Sequence, residues 1–208
     1  MKFYMISPPK KNKYFTPENV DEITNILPVE FFQFRPKYKF LKNRIKYVDN
    51  YYSKICRICR KKNIKIIIND DFEIAEKFFF DGIHLGQNDK KCIEAKEKFG
   101  KDFIVGITCS GSYKLYEEAK KQMANYVVFG PIFKSMTKKN KTIKINNLIN
   151  IRKKLKLPFA LIGGINHNNF IKLTKLNPDF LAIIGSIWDY KNGPVESAKL
   201  FRKILVEN

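Results

Sequence analysis

Apolar and polar positions follow one another along this chain with a regular beat. Short β-branched or aromatic runs are each followed by a longer stretch with helical spacing. The runs lie at residues 2–7 (KFYMIS), 31–35 (FFQFR), 64–68, 82–85, 103–108 (FIVGIT), 126–130 (YVVFG), 159–162 (FALI) and 180–184 (FLAII). Helices are predicted from Pro17 to about Leu27, then over 38–62, 72–80, 89–99, 112–122, 146–155 and 168–176, and from Pro194 to about Val206. Punctuation supports the divisions. Ser7-Pro8-Pro9 ends the first strand, Pro36 ends the second, and Thr16 followed by Pro17 is an N-cap with proline at the first helical position. The strands are almost continuously apolar, as expected where both faces are buried. Eight strand–helix units joined by short links predict an α/β fold with a parallel sheet closed into one (β/α)8 TIM barrel, a single domain over residues 1–208.

Composition changes this picture little. At 44% hydrophobic, 208 residues are enough for one sizeable core. The apolar runs are too short for a membrane span and Met1 leads straight into a strand-like segment, so a soluble cytoplasmic protein is expected. Cys56 and Cys59 form a CxxC inside a helical pattern, with Cys92 in another helix and Cys109 just after a strand; this arrangement predicts ordinary reduced thiols. The net charge of +20 favours polyanionic ligands. The lysines are spread along the chain, as in KKNK at 10–13 and 138–141 and RKKLK at 152–156, which suits solvated helix faces better than a nucleic-acid-reading module. A non-enzymatic anion- or nucleic-acid-binding protein stands as a competing reading on charge alone, to be judged by duplex DNA binding at two salt concentrations.

On such a barrel, chemistry collects at the C-terminal ends of the strands. Strand two offers Gln33, Arg35 and Lys37; strand three Asn69 and Asp70; strand four His84, Gln87 and Asp89; strand five Thr108. Strand six leads into Ser135, Thr137 and Lys138, while strands seven and eight end in Gly163-Gly164 and Gly185-Ser186. Asp70 and Asp89 each read equally well as helix caps. As a pair on one rim they suit a hard divalent cation, and Mg²⁺ resolves the conflict between two carboxylates and a phosphate ligand. The cations supply charge and the glycines leave backbone N–H groups open to a second phosphate, although Gly163-Gly164 also reads as a plain turn. His84 emerges from an apolar strand and is expected to be a hydrogen-bonded structural imidazole; His167 is expected in an exposed loop. The lysine-rich loop 131–144 is a candidate lid.

These residues carry a resemblance to thiamine-phosphate synthase. It runs from KFYMISPP to the last helix through QFRPK at 33–37, IIND at 67–70, DGIHLGQND at 81–89, GIT at 106–108, GPIFKSMTKK at 130–139, IGGI at 162–165 and SIWDYKNGP at 186–194. The resemblance implies a transferase of thiamine biosynthesis. In that reaction the ring nitrogen of a thiazole phosphate displaces diphosphate from hydroxymethylpyrimidine diphosphate. It further implies Mg²⁺ on Asp70 and Asp89, with Gln33, Arg35, Lys37, Asn69 and Lys138 on the diphosphate and Thr108 near the pyrimidine. Arg35 and Lys138 would be the catalytic charges. Ser135, Thr137 and the backbone at Gly164, Ile184 and Gly185 would hold the thiazole phosphate. Small-molecule substrates are the implied partners, with homo-oligomerisation open. A thiazole tautomerase-like relative is the enzymatic alternative, and the two aspartates speak against it. Three residues depart from the family pattern: Asp71, which adds negative charge beside the metal, Gly185 and Thr108.

Overall fold

The computed structural model describes residues 1–134 and 142–207. Eight parallel strands close in sequence order, β1 (Lys2–Ile6), β2 (Val29–Phe34), β3 (Lys65–Asn69), β4 (Gly82–Leu85), β5 (Ile104–Ser110), β6 (Tyr126–Phe129), β7 (Phe159–Ile162) and β8 (Phe180–Ile183), with β8 pairing back onto β1. Around them run α1 (Pro17–Ile26), α2 (Leu41–Lys61), α3 (Phe72–Lys77), α4 (Cys92–Phe99), α5 (Tyr113–Lys121), α6 (Ile145–Arg152), a 3₁₀ segment Phe170–Leu176, the short α7 (Gly185–Trp188) and α8 (Pro194–Glu207). The expected barrel is the one found. Thr16 caps α1, its hydroxyl accepting from the Asn19 amide at 3.2 Å.

Period-two alternation divides each strand between two cores. Phe3, Met5, Phe32, Phe34, Ile66, Ile68, Val105, Val127 and Leu181 belong to the core under the helices. Tyr4, Ile6, Phe31, Ile67, Tyr126, Val128, Ala160, Phe180 and Ala182 fill the lumen. The lumen is packed by pairing large with small. Aromatic rings enter from β1, β2, β6 and β8, and Gly106 makes room for one of them: a Cβ there would stand 2.0 Å from Cζ of Tyr126.

The structure departs from the sequence expectations at several ends. Where an α-helix is predicted over 168–176, Phe170–Leu176 form a 3₁₀ segment preceded by side-chain turns, with Asn166 Oδ1 accepting from the Asn168 amide and Asn169 Oδ1 from the Asn166 amide. Such asparagine turns compete with α-helical bonding. The predicted helix 72–80 stops at Lys77, because Phe78 and Phe80 turn into a ring cluster with Tyr52. The sequence reading did not anticipate α7. It is fastened by the fully buried Trp188, whose Nε1–H donates to the Ile6 carbonyl at 2.7 Å. Cys109 lies within β5, and His167 is half-buried, donating to or accepting from Ser197 and packed 4.3 Å from the Phe201 ring. All four cysteines are free and buried, and burial pushes the Cys59 thiol up to about 12. No helix among the described residues is long and apolar enough to cross a membrane.

Candidate active site

The C-terminal ends of β2, β3, β4 and β5 carry the polar residues that the sequence singles out. The Ser7-Pro8-Pro9 stretch after β1 acts as their buttress. The Ser7 hydroxyl accepts from the Arg35 amide at 2.9 Å, the Pro9 carbonyl accepts from the Lys37 amide at 2.8 Å, and the Tyr47 hydroxyl donates to the Pro8 carbonyl at 2.7 Å. Proline rigidity on one side thus fixes the backbone that presents Arg35 and Lys37 on the other.

Asp70 sits at φ +61°, the left-handed region that few non-glycine residues adopt, with its amide bonded to the His84 carbonyl at 2.9 Å. Backbone held in that region beside a cluster of charged groups is characteristic of functional sites. Its carboxylate forms an ion pair with Lys37 and interacts electrostatically with the half-buried Arg35. Burial pushes the Asp70 carboxyl up, but Lys37 and Asp89 together bring it below the usual carboxylate range. Asp89 moves the other way: burial and the Asp70 charge raise it, while the Gly86 amide, donating to Oδ2 at 2.6 Å, opposes the rise. The two acids therefore face each other closely enough to set each other's proton affinity. Neither is a helix cap; those positions fall to Asp71 before α3 and Lys91 before α4.

Asn69 is buried, and its Nδ2 has no partner among the described residues. A buried unpaired donor costs about 1–3 kcal/mol, so this amide is left unsatisfied at some expense of stability. The Ser186 hydroxyl, at the start of α7, is likewise buried and unpartnered among the described residues. Gly163 and Gly164 take φ +101° and +62°. A Cβ on them would strike Pro131 and the Lys134 carbonyl, and Phe133 donates its amide to the Gly163 carbonyl at 3.0 Å. This pair is first of all the seat on which the loop after β6 rests. Ile184 and Gly185 form the turn into α7. Ser135, Thr137 and Lys138, with the middle of the candidate lid, lie outside the described residues.

Gln33 stands lower than its strand-end neighbours. Its buried amide donates through Nε2 to the Tyr4 hydroxyl at 2.7 Å. The Tyr4 and Tyr126 hydroxyls are 2.7 Å apart, Tyr126 lies 3.2 Å from Nδ1 of His84, and Nε2 of His84 is 2.8 Å from the Thr108 hydroxyl. Burial lowers His84 to about 4, so it is neutral at pH 7 and structural, as expected. The sequence reading missed Tyr4 and Tyr126, whose signal was a hydroxyl at an inward position of an otherwise apolar strand.

Asp71 also differs from expectation. Arg44 of α2 grips it with Nε and Nη2 at 2.8–3.1 Å and ties it, through Nη1, to the carbonyls of Tyr38 and Lys39 at 3.2 Å. The extra negative charge is therefore matched by a cation, and the pair also braces the loop that carries Lys37. Burial still leaves the Asp71 carboxyl above its ordinary value, with Asp70 and Glu73 adding to the rise against Arg44. Replacing Arg44 with methionine strands that carboxylate and is expected to cost about 2 kcal/mol in urea unfolding, less than the roughly 3–5 kcal/mol of a fully buried pair because both side chains keep some solvent contact. Combining Arg44→Met with Asp71→Leu should recover most of it; equal losses in the single and double variants would refute the pairing.

Residues 3–187 match the protein family described as thiamine monophosphate synthase. The thiamine-phosphate synthase of Pelagibacter ubique is 35% identical over 201 residues, covering 94% of this chain and 93% of that one. That of Rhodospirillum centenum is 32% identical, covering 71% and 72%. Among solved structures, the thiamine phosphate pyrophosphorylase of Pyrococcus furiosus superposes with a TM-score of 0.81 at 24% identity, covering 99% and 96%, which speaks to the fold. By the extent of the family match and the identity shared with these relatives, the chain belongs to the thiamine monophosphate synthase family.

Proposed function

We propose that the protein makes thiamine phosphate in the cytoplasm, as one barrel domain. The thiazole ring nitrogen of a thiazole phosphate attacks the exocyclic methylene of hydroxymethylpyrimidine diphosphate. A C–N bond forms, the C–O bond to diphosphate breaks, and free diphosphate departs. The substrate supplies its own nucleophile, so the barrel must align two partners and stabilise charge on the leaving group. The observation that carries the reading is the rim itself: two carboxylates that shift each other's proton affinity, a half-buried guanidinium and an orphaned buried amide, all at adjacent strand ends.

The donor set fits Mg²⁺. Among the described residues no cluster of three or more His, Cys, Asp or Glu could hold a metal. Magnesium typically takes one or two carboxylates and completes its shell with substrate phosphate and water. Asp70 and Asp89 would hold it, and when bound it would neutralise charge developing on the diphosphate. Lys37 neutralises Asp70 in the free protein. In the substrate complex it is assigned to the diphosphate with Arg35, Asn69 Nδ2 and Lys138, Arg35 and Lys138 being the catalytic charges. Gln33, whose Nε2 donates to Tyr4 in the free protein, is assigned to the diphosphate as well. Ser135, Thr137 and the backbone at Gly164, Ile184 and Gly185 are assigned to the thiazole phosphate, and Thr108 to the pyrimidine.

Incubating the purified protein with both substrates tests this directly. Thiamine phosphate should form with Mg²⁺, and EDTA should lower the rate by ~10² or more, reversed by excess Mg²⁺. Product formation indifferent to EDTA would remove the metal, and no product under any condition would remove the reaction.

A further inference from the structure

Five polar side chains from five strands form one continuous hydrogen-bonded line across the lumen: Gln33, Tyr4, Tyr126, His84 and Thr108. Such a line in a dry interior has only two self-consistent directions, because each hydroxyl has one proton and a neutral imidazole has one. With Gln33 donating through Nε2, the Tyr4 hydroxyl is an acceptor at that contact and its own proton must go to Tyr126. Among the described residues no other acceptor lies within reach of the Tyr4 hydroxyl. Tyr126 then donates to Nδ1 of His84. The imidazole proton is thereby placed on Nε2, which donates to the Thr108 hydroxyl. Thr108 has accepted and still holds its own proton, and its side chain is partly exposed at the rim end of β5. The opposite direction requires the Gln33 amide turned over and leaves Thr108 with only a lone pair to offer.

We infer that Tyr4, Tyr126 and His84 are positioning residues that fix the Thr108 hydroxyl as a hydrogen-bond donor to the ligand. With one lone pair taken by His84, the free Thr108 proton favours an acceptor in the ligand. On the reaction proposed above, that is an unprotonated ring nitrogen of the aminopyrimidine, and a pyrimidinone bearing N–H at the same place is disfavoured. The geometry is built for this. His84 and Tyr126 stack at 5.7 Å, Tyr4 meets Tyr126 edge-on at the same distance, and Gly106 keeps the space that the Tyr126 ring occupies.

Two-bond ¹H–¹⁵N correlation of the ligand-free protein at pH 7 reads the tautomer without any substrate. The chain has two histidines, so a His167→Gln variant isolates the His84 signals. His84 is expected to carry its proton on Nε2, and Tyr126→Phe, which deletes one hydroxyl, is expected to bring in the Nδ1–H form. In the same variant the preference, in kcat/KM, for hydroxymethylpyrimidine diphosphate over its 4-oxo analogue should fall roughly tenfold, the worth of one well-placed hydrogen bond. Proton on Nδ1 in the wild type, an imidazolium at pH 7, or a tautomer and preference unmoved in Tyr126→Phe would each overturn the inference. If the wild type condenses neither pyrimidine yet shows an Nε2–H tautomer that Tyr126→Phe disturbs, the proposed reaction falls and the relay stands.

Discussion

Replacing Asp70 with asparagine should lower kcat/KM for thiamine phosphate formation by ~10²–10³ while leaving the protein folded. Asparagine is nearly isosteric and tolerates the left-handed backbone that this position requires, so the β3–α3 turn should survive. The Lys37 ion pair is lost, but both its side chains are partly exposed, at 42% and 26%, and such pairs contribute about 1 kcal/mol or less. What cannot be replaced is the charge. Lys37 and Asp89 hold the Asp70 carboxyl below its ordinary range, while burial and the Asp70 charge push Asp89 above its own. With Asp70 neutral, one full anionic site for a divalent cation disappears, and Asp89 loses the like charge that raises it. Three readouts separate the causes. Urea unfolding should shift little, calorimetric Mg²⁺ binding in the presence of diphosphate should weaken sharply, and activity should fall by the stated factor. Activity within a few-fold of wild type would show that Asp70 holds neither the metal nor the leaving group. Activity lost together with the fold would place its role in the turn instead.

The barrel was legible because its strands are short apolar runs with proline and glycine punctuation, and its closure followed from counting them. The rim was legible for a related reason: polar residues that end apolar runs in a parallel sheet must emerge on one side. Asp70, Asp89 and Arg35 follow that rule, and Asp70 interacts with both of the others. Partnerships across strands were not legible. Nothing in NDD at 69–71 indicates that Arg44, 27 residues upstream, cancels the extra acid, because that pairing depends on how α2 lies over the β3–α3 loop. Nor does KFYMI announce that Tyr4 meets Tyr126, 122 residues away. The 3₁₀ segment before β8 was misread for a local reason: its apolar spacing fits an α-helix, and the preceding asparagines win the competition for backbone amides.

Gly106 is where packing and the proposed chemistry meet, and Gly106→Ala should be strongly destabilising, at about 4 kcal/mol in urea unfolding. A methyl group there would stand 2.0 Å from Cζ and 2.4 Å from the hydroxyl of Tyr126, far inside contact distance. The ring cannot swing clear. It is fully buried, stacked on Phe31 at 5.0 Å and on His84 at 5.7 Å, with its hydroxyl bonded on two sides. Overpacking of this kind costs about 1–3 kcal/mol through displaced neighbours. Pushing the ring aside also unpairs buried hydroxyls, at about 1–3 kcal/mol for each group left unsatisfied. For a chain of this size the sum corresponds to a drop in Tm of roughly 10 °C. The cause is separable from a general intolerance at β5, because the clash needs the ring. In a Tyr126→Ala background, already weakened by the cavity it leaves, adding Gly106→Ala should cost 2 kcal/mol or more less than in the wild type, a coupling of the size expected between touching groups. If Gly106→Ala melts within a few degrees of wild type, or costs the same with and without the Tyr126 ring, the ring does not occupy the space that the glycine leaves. The hydroxyl line running through it to Thr108 would then have no fixed middle.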